Sequence, residues 1–185
     1  IQQSIDTYLT AMEVFTRQDY PDEWANIQTN LASNYRNRQC GKKEDDIEQA
    51  IHLCQQALEA FTGAALPEVK ANAHNNLANA LRDRILGDRA ENLEQAIYHC
   101  QQALALVPEK SHPWKWATAQ NNLGNIYMVR LHGNHEDNVE KAIQLYIHAH
   151  EVFTQDAYPE DWAWTHTNLA RAYLERDPGK KEENF

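Results

Sequence analysis

Asparagine is the polar residue whose spacing in this sequence most strongly suggests binding chemistry. It recurs every 46 residues, each time directly before a leucine, at Asn30, Asn76, Asn122 and Asn168. Because asparagine is a middling-to-poor helix former, a column of it within helical patterns calls for a physical reason. Its carboxamide offers a donor pair and an acceptor, which complement the C=O and N–H groups of a peptide backbone. The column therefore predicts either contacts with an extended peptide or a bond between helices that repeats with the architecture.

Other residues extend this candidate peptide-binding site. More asparagines lie beside the column and one turn away from it, mainly in the middle of the chain: Asn72, Asn75, Asn79, Asn121 and Asn125. Two neighbouring columns vary as specificity positions should, one with Arg36, Arg82, Met128 and Leu174 and one with Asn37, Asp83, Val129 and Glu175. From these we include Arg82 and Met128 in the site. Trp164 shares the column of Asn72 and is interpreted as an aromatic anchor, or else as a residue buried under a further helix.

No pattern of catalytic residues is present in the sequence. It contains no glycine-rich phosphate loop, no Gly-x-Ser-x-Gly elbow and no metalloprotease helix motif. His132 and His135 share a loop without a closed set of metal-binding partners. His148 and His150, two residues apart, point to different sides of a helix. We therefore expect no enzyme activity, no cofactor and no metal.

Charge, hydropathy and cysteine usage exclude several classes of partner and compartment. A net charge of −10 argues against non-specific binding to nucleic acid or to anionic lipid. No apolar run approaches the roughly 18 residues needed to cross a bilayer. Cys54 and Cys100 share a repeat position with Tyr8 and Tyr146, which predicts burial, and only Cys40 looks exposed. Three cysteines do not make a disulfide framework, so we expect a reducing, cytoplasmic setting.

An unbroken internal repeat of 46 residues organises the chain. Proline recurs at this spacing (Pro21, Pro67, Pro113, Pro159), as do glycine (Gly41, Gly87, Gly133, Gly179) and arginine (Arg38, Arg84, Arg130, Arg176). The sequence divides without insertion into units 1–46, 47–92, 93–138 and 139–184, which we predict to form a single array over 1–185. The chain begins at Ile1 and stops where another unit would start, so we expect it to be a piece of a longer protein.

Each unit contains two helical patterns. The first has apolar residues at steps of three and four, as in Ile47, Ala50, Ile51, Cys54, Ala57 and Leu58. We predict N-caps for it at Asp46, Asn92 and Asn138, with Gln49 and Gln95 completing capping boxes. The second pattern opens with the proline and should end at the arginine and glycine columns. Helix pairs of this kind bury their apolar faces only when stacked, which predicts an all-α fold, an α-α superhelix of antiparallel helix pairs.

The motifs resemble those of the tetratricopeptide repeat (TPR) family. Asn122-Leu123-Gly124-x-x-Tyr127, followed by Ala142 and Ala149, matches the family's Leu-Gly-x-x-Tyr and alanine signature, and one unit also has its proline, Pro108. The units are longer than the usual 34 residues. The usual tryptophan position instead carries Gln28, His74, Gln120 and His166. Long-unit arrays of this kind resemble those in large multidomain bacterial signalling proteins.

The resemblance implies a protein-interaction scaffold. In the family, the first helix of each pair, here the one with the proline and Asn-Leu, lines a concave groove that binds extended peptides. The partner would be a protein or peptide, with no nucleic acid and no membrane. The alternative is a structural, self-assembling or regulatory segment of a larger multidomain enzyme or signalling protein. The arginine column is expected to pair with Glu48, Glu94 or Glu140 rather than bind an anion.

The two ends of the repeat frame predict incomplete helix pairs. Residues 1–17 resemble a second helix without its first, and 159–176 a first helix without its second. Trp162, Leu169 and Tyr173 would then lack part of their cover. A following unit would supply that cover in a longer protein, and homo-oligomer formation through the exposed terminal helices would supply it here.

Overall fold

The computed structural model describes residues 1–38, 42–63 and 67–176, and within these ranges the chain forms eight α-helices and no strand. The helices are α1 (Gln2–Ala11), α2 (Pro21–Asn37), α3 (Lys43–Ala60), α4 (Pro67–Asp83), α5 (Arg89–Leu106), α6 (Pro113–Tyr127), α7 (His135–Val152) and α8 (Pro159–Arg176). They belong to two compact units, Ile1–Leu106 with α1 to α5 and Val107–Phe185 with α6 to α8. A single array over 1–185 stays a prediction.

Within each unit, successive helices are antiparallel neighbours. The end of α3 meets the start of α2, where the Thr62 N–H donates to Asp22 Oδ1 at 2.8 Å. The end of α4 meets the start of α3, where Arg84 Nε donates to Glu48 Oε1 at 2.7 Å. In the second unit α6 packs against α7, and α7 against α8. The predicted all-α fold of repeated helix pairs, the α-α superhelix class, is confirmed.

The proline column marks helix starts as expected. Pro21, Pro67, Pro113 and Pro159 are each the first residue of a helix, α2, α4, α6 and α8 respectively. At this position the missing N–H has no intrahelical partner to lose, and the fixed φ suits the helix. The proline therefore sets where each of these helices begins.

The predicted N-caps of the other helices are wrong. Helices α3, α5 and α7 begin three residues before Asp46, Asn92 and Asn138. Capping comes from further upstream, where Asp88 Oδ1 accepts from the Glu91 N–H at 2.8 Å and Asn134 Oδ1 from the Asp137 N–H at 3.3 Å. The proposed capping-box residue Gln95 instead donates to the Glu91 side chain, one turn away, at 3.0 Å. Asp88 and Asn134 are themselves good caps, so the helix gains an extra turn.

The displaced cap residues organise the preceding loops instead. Asn92 and Asn138 are buried, and each Nδ2 donates at 2.8 Å to a loop carbonyl, that of Leu86 or of His132. The arginine that follows the previous helix donates to the same side chain, Arg84 to Asn92 Oδ1 and Arg130 to Asn138 Oδ1, both at 3.3 Å. Each buried asparagine thereby fixes a loop between two helices.

The arginine column forms the expected ion pairs in two places. Arg84 contacts Glu48, and Arg176 Nη1 lies 3.7 Å from Glu140 Oε2. Arg38 differs, because it pairs with Asp46 on the following helix. Contrary to expectation, the glycines do not directly follow a helix end, since α4 ends at Asp83 and α6 at Tyr127. Gly87 and Gly133 lie in the loops at φ 78° and 80°, a conformation for which glycine is suited. Gly41 and Gly179 lie outside the described residues.

Aromatic and small residues form the contact between paired helices. In α2 and α3, Trp24 shares a buried cluster with Ala57 and Phe61. In α6 and α7, Trp116 packs against the equivalent cluster of Ala149 and Phe153. The tryptophan of a proline-initiated helix therefore meets the phenylalanine that ends the helix after it.

One column sets how closely paired helices approach. A Cβ placed on Gly124 of α6 would lie 2.6 Å from Tyr146 Cε1 of α7, too close for any side chain. The equivalent positions in the other two pairs carry Ala32 with Cys54 and Ala78 with Cys100, all buried. A slightly larger residue on one helix is thus matched by a much smaller one on the other, as close packing requires.

A histidine pair joins α4 to α5. His74 Nδ1 and His99 Nδ1 are 3.0 Å apart, one nitrogen donating to the other. Burial, together with smaller effects of His99 and Lys70, lowers the pKa of His74 to about 4, and burial also lowers the pKa of His99. At the position equivalent to His74 in α2, Gln28 Nε2 donates to Gln56 Oε1 of α3 at 3.3 Å. Both pairs are polar contacts made inside the packed helix pair.

We expect Gly124→Ala to lower the free energy of unfolding by about 1–3 kcal/mol, because the added methyl group overlaps the buried Tyr146 ring. Urea unfolding checks this, with Gly63→Ala as a control, since a Cβ there has nothing within 4 Å. Adding Tyr146→Cys should recover part of the loss by recreating the alanine–cysteine pairing. If the double variant lost as much free energy of unfolding as the two single variants together, this would contradict the idea that the facing residues must be matched in size.

We expect the free energy of unfolding to fall as the pH is lowered from about 6.5 towards about 4, because the unfolded chain then binds protons that the folded His74 does not. His74→Gln should reduce this loss, since glutamine occupies the equivalent position in α2. The measurement is urea unfolding at about pH 7.5 and about pH 5. His52→Gln, an exposed histidine, is the control. Equal pH dependence in wild type and His74→Gln would count against this assignment.

Candidate functional site

Four of the predicted site residues of the first unit lie along one face of α4. Asn72, Asn75, Asn79 and Arg82 follow one another at steps of three and four, which places them on the same side of a helix. The equivalent residues of α2 are Asn26, Thr29, Ser33 and Arg36. We call these the polar faces of α4 and α2. The spacing of these residues in the sequence predicts each face, but it does not predict the contacts that hold the two helices together.

Two hydrogen bonds hold α2 and α4 side by side and parallel. Asn76 Nδ2 donates to the backbone carbonyl of Thr29 at 3.0 Å near the middle of the helices. Arg36 Nη1 donates to Asp83 Oδ2 at 3.1 Å near their C-terminal ends. Because Thr29 and Arg36 belong to the polar face of α2, these bonds place it next to α4. We call the two faces together the polar surface of α2 and α4; within it Thr29, Asn75 and Asn79 are buried.

Asn75 is the residue of this surface that most clearly lacks a partner. It is 8% exposed, and its Oδ1 is buried without a hydrogen-bond partner among the described residues. Its neighbour on the face, Asn79, is equally buried at 8%. Since buried acceptors in folded proteins are nearly always bonded, Asn75 Oδ1 calls for a donor from a bound molecule or an ordered water.

A charged cluster ends the polar surface at the C-termini of α2 and α4. Asp83 accepts from Arg36 at 3.1 Å and from Arg82 Nε at 3.0 Å, so two guanidinium groups share one carboxylate. Both arginine side chains remain about a quarter exposed, at 22% and 24%. The cluster carries one net positive charge on a chain whose net charge is −10. The cluster can therefore bind a carboxylate group of a ligand, to which the guanidinium groups donate.

Two of the recurring asparagines make the helix-bridging bond that was the alternative to peptide binding. Asn76 bonds α4 to α2, and Asn168 Nδ2 of α8 donates to Asn121 Oδ1 of α6 at 3.2 Å. Asn30 is exposed on α2, and Asn122 is half-buried on α6. A peptide-binding role for the column stays a prediction.

The remaining predicted site residues differ from one another in burial and in contacts. Asn125 Oδ1 accepts from the Tyr146 hydroxyl at 2.9 Å, so it supports the α6–α7 contact. Met128 is half-buried and packs against the core cluster of Val139, Ile143 and Leu169. Trp164 on α8 is 70% exposed. Among the described residues of the predicted site, those of α4 gather on one face that includes an unbonded buried acceptor.

Arg36 and Asp83 are functional candidates that were not selected from the sequence. Both lie in the variable columns, and what identifies them is their ion pair across the parallel helices. They are 47 residues apart, the same separation as Asn76 and Thr29. The signal that could have identified them is a pair of opposite charges separated in sequence by one repeat length plus one residue.

Cys54 and Cys100 are buried, as their repeat position predicts. Burial raises the pKa of Cys54 to about 12, against a smaller opposing effect of Arg36. It raises the pKa of Cys100 to about 12 as well, against Arg82. Both thiols therefore stay protonated inside the helix pairs. Cys40 lies outside the described residues.

Two properties of the described ranges bear on the kind of site. No group of three or more histidine, cysteine or acidic side chains there is placed to hold a metal ion. None of the helices in those ranges combines the length and apolar character needed to span a bilayer.

Comparison with known proteins gives the family. The family model of soluble NSF attachment protein (SNAP) matches residues 52–177, which run from within α3 past the end of α8. No curated protein matches the chain. The matched family is one of TPR-like helical repeats, in keeping with the resemblance seen in the sequence, and such repeats generally act as scaffolds that contact protein partners. The chain belongs to the soluble NSF attachment protein family.

Proposed function

We propose that this chain is a protein-interaction scaffold that holds an extended segment of its partner on the polar surface of α2 and α4. The observation that carries the proposal is the buried, unbonded Oδ1 of Asn75. When the side chain of Asn75 turns outward, a backbone N–H of the bound segment donates to this oxygen. Membership of a family described as attachment proteins supports a protein as the ligand.

The spacing of the two helices suits an extended chain that crosses them. Packed helices stand about 8–10 Å apart. An extended peptide advances about 3.3 Å per residue. The ligand backbone therefore meets a new helix at about every third residue. Asn72, Asn75 and Asn79 on α4 offer carboxamides to its N–H and C=O groups with little dependence on its side chains.

The charged cluster supplies sequence preference. Arg36 and Arg82 share Asp83, and the remaining positive charge favours an acidic residue in the segment that passes the C-terminal ends of α2 and α4. Because the rest of the chain is acidic, this preference acts only over a short range. An acidic ligand without a well-placed carboxylate is repelled.

The second unit offers related chemistry on its own helices. Asn121, Asn122 and Asn125 on α6 repeat the carboxamide pattern, and exposed Trp164 on α8 is an anchor for an apolar side chain. Asn30 on α2 is exposed and belongs to the same proposal. Asn76 and Asn168 act differently, since their bonds position the helices.

We expect substitutions of two adjacent residues of α4 to have different effects, one on ligand binding and the other on stability. Asn75→Ala should weaken binding about tenfold, or about 1.4 kcal/mol, because the peptide loses its acceptor. Asn76→Ala should leave affinity unchanged and lower the free energy of unfolding by about 1 kcal/mol, because α4 loses its bond to α2. The probe is the tightest binder selected from a displayed library of random peptides, measured by calorimetry, with urea unfolding for stability.

The control for charge is Arg82→Ala, which should lower the share of acidic residues among the selected peptides. Unchanged affinity in Asn75→Ala with a retained fold would remove this surface from the proposal. Selected peptides whose binding is lost only on substitution of α8 would place the interaction elsewhere and contradict it as well.

A further inference from the structure

Four basic side chains lie together where α2 and α4 end. Arg36 and Arg82 share the carboxylate of Asp83, at 3.1 Å and 3.0 Å. Lys43, the first residue of α3, donates from Nζ to the backbone carbonyl of Arg36, and Arg89, the first residue of α5, donates from Nη1 to that of Arg82. We call these four basic residues the basic patch. Four positive charges and the one negative charge of Asp83 leave a net charge of +3, on a chain whose net charge is −10.

The acidic side chains that follow the patch in sequence do not neutralise it. Asp46 pairs with Arg38, and Glu48 accepts from both Nε and Nη2 of Arg84. The other acidic residues in the first turn of α3 form no ion pair with the patch among the described residues, and these are Glu44 and Asp45. Asp83 is therefore the acidic side chain that balances part of the charge of the patch.

The second unit folds in the same way without such a patch. The positions equivalent to Arg82 and Asp83 hold no basic residue there, being Met128 and Val129 after α6 and Leu174 and Glu175 in α8. Helix α7 nevertheless begins at His135, which is the repeat equivalent of Lys43 and Arg89, and it packs against α6 as α5 packs against α4. Because the repeat forms without these charges, their presence in the first unit indicates a role beyond holding the helices together.

We propose that the basic patch binds the phosphate group of a phosphorylated serine or threonine in the partner segment. The inference rests on the proposed function, because the segment that lies on the polar surface of α2 and α4 meets the patch at the C-terminal ends of these two helices. Phosphorylation of the partner then strengthens its attachment to this chain, which makes the attachment open to regulation.

The donors of the patch outnumber what a carboxylate can accept. In their contacts with Asp83, Arg36 uses Nη1 and Arg82 uses Nε and Nη2, which leaves Nη2 of Arg36 and Nη1 of Arg82 for a ligand. The ammonium group of Lys43 donates once to a carbonyl and has further N–H groups. A phosphoserine carries between about −1.5 and about −2 charges at pH 7 and three strong acceptor oxygens, whereas a carboxylate has a single charge and two oxygens. A phosphate therefore matches both the charge and the donors of the patch better.

The patch is both accessible and ordered before a ligand binds. Lys43 and Arg89 are exposed, and the side chains of Arg36 and Arg82 are partly exposed. Asp83 brings the two guanidinium groups to one carboxylate, so they are close enough to contact a second oxyanion together. Since a planar guanidinium that is already oriented loses little freedom when it forms a further hydrogen bond, this arrangement favours binding of an oxyanion.

The test uses degenerate peptide libraries that differ only in one fixed central residue, which is phosphoserine, serine or glutamate. We expect the immobilised full chain to retain the phosphoserine library at least about tenfold more strongly than the serine library, and also more strongly than the glutamate library, because the phosphate adds charge-assisted hydrogen bonds. Combining Arg36→Gln with Arg82→Gln should abolish the advantage of phosphoserine. Combining Lys43→Gln with Arg89→Gln, which leaves the contacts of Asp83 in place, should reduce it.

Arg171→Gln is the matched control, since it removes an exposed arginine of α8 and should leave the preference for phosphoserine unchanged. Circular dichroism checks that each variant keeps its helices. The inference is overturned if the phosphoserine library has no advantage, or if both folded double variants retain that advantage in full. It is overturned as well if vesicles containing phosphatidylinositol phosphates bind more tightly than the phosphoserine library and lose their binding in the arginine double variant, because the phosphate then belongs to a lipid.

Asn75→Ala separates a failure of this inference from a failure of the proposed function. It should weaken retention of all three libraries to the same degree, because Asn75 contacts the peptide backbone in the proposed complex. If Asn75→Ala has this effect and phosphoserine gives no advantage, the phosphate site is wrong and the proposed function stands. If the wild-type chain retains none of the libraries, both are wrong.

Discussion

Close approach between consecutive helices is the constraint on which the rest of this structure depends. No helix here can bury its apolar stripe alone, so each relies on the helices packed against it. The distance between paired helices is set by the alanine or glycine column and by the residue that faces it. Gly124 with Tyr146 and Ala78 with Cys100 are two solutions to the same volume requirement. This requirement makes the core specific, because a residue on one helix limits what can lie opposite.

Polar side chains then fix the helices and loops that this packing brings together. Asn92 and Asn138 can be buried because their carboxamides bond a loop carbonyl and the arginine after the preceding helix at once. Asn76 likewise fixes two parallel helices, because it donates to a backbone carbonyl of the neighbouring helix. A carboxamide suits these places since it has both donors and acceptors and carries no charge to desolvate. Much of the asparagine content of this chain is therefore explained by architecture.

The sequence predicts the helices well and their side-chain contacts less well. Proline at four helix starts, the apolar steps of α3 and the buried cysteines all follow from local patterns that the structure keeps. The N-caps are mispredicted because Asp88 and Asn134 compete with Asn92 and Asn138, and a local rule cannot rank two good caps four residues apart. The Arg36–Asp83 pair depends on which helices lie parallel, which no single-helix pattern contains.

The asparagine pair on α4 shows why recurrence alone does not identify a binding residue. Asn75 and Asn76 are adjacent, both belong to columns set by the 46-residue repeat, and both have the same chemistry. They differ because a helix turns by about 100° per residue. Asn76 thereby reaches the carbonyl of Thr29, while the Oδ1 of Asn75 is buried without a partner. Two members of the regular column, Asn76 and Asn168, make bonds between helices and therefore belong to the architecture. A buried acceptor that the fold leaves unsatisfied has a cost, and a ligand that removes this cost binds more tightly than one that does not.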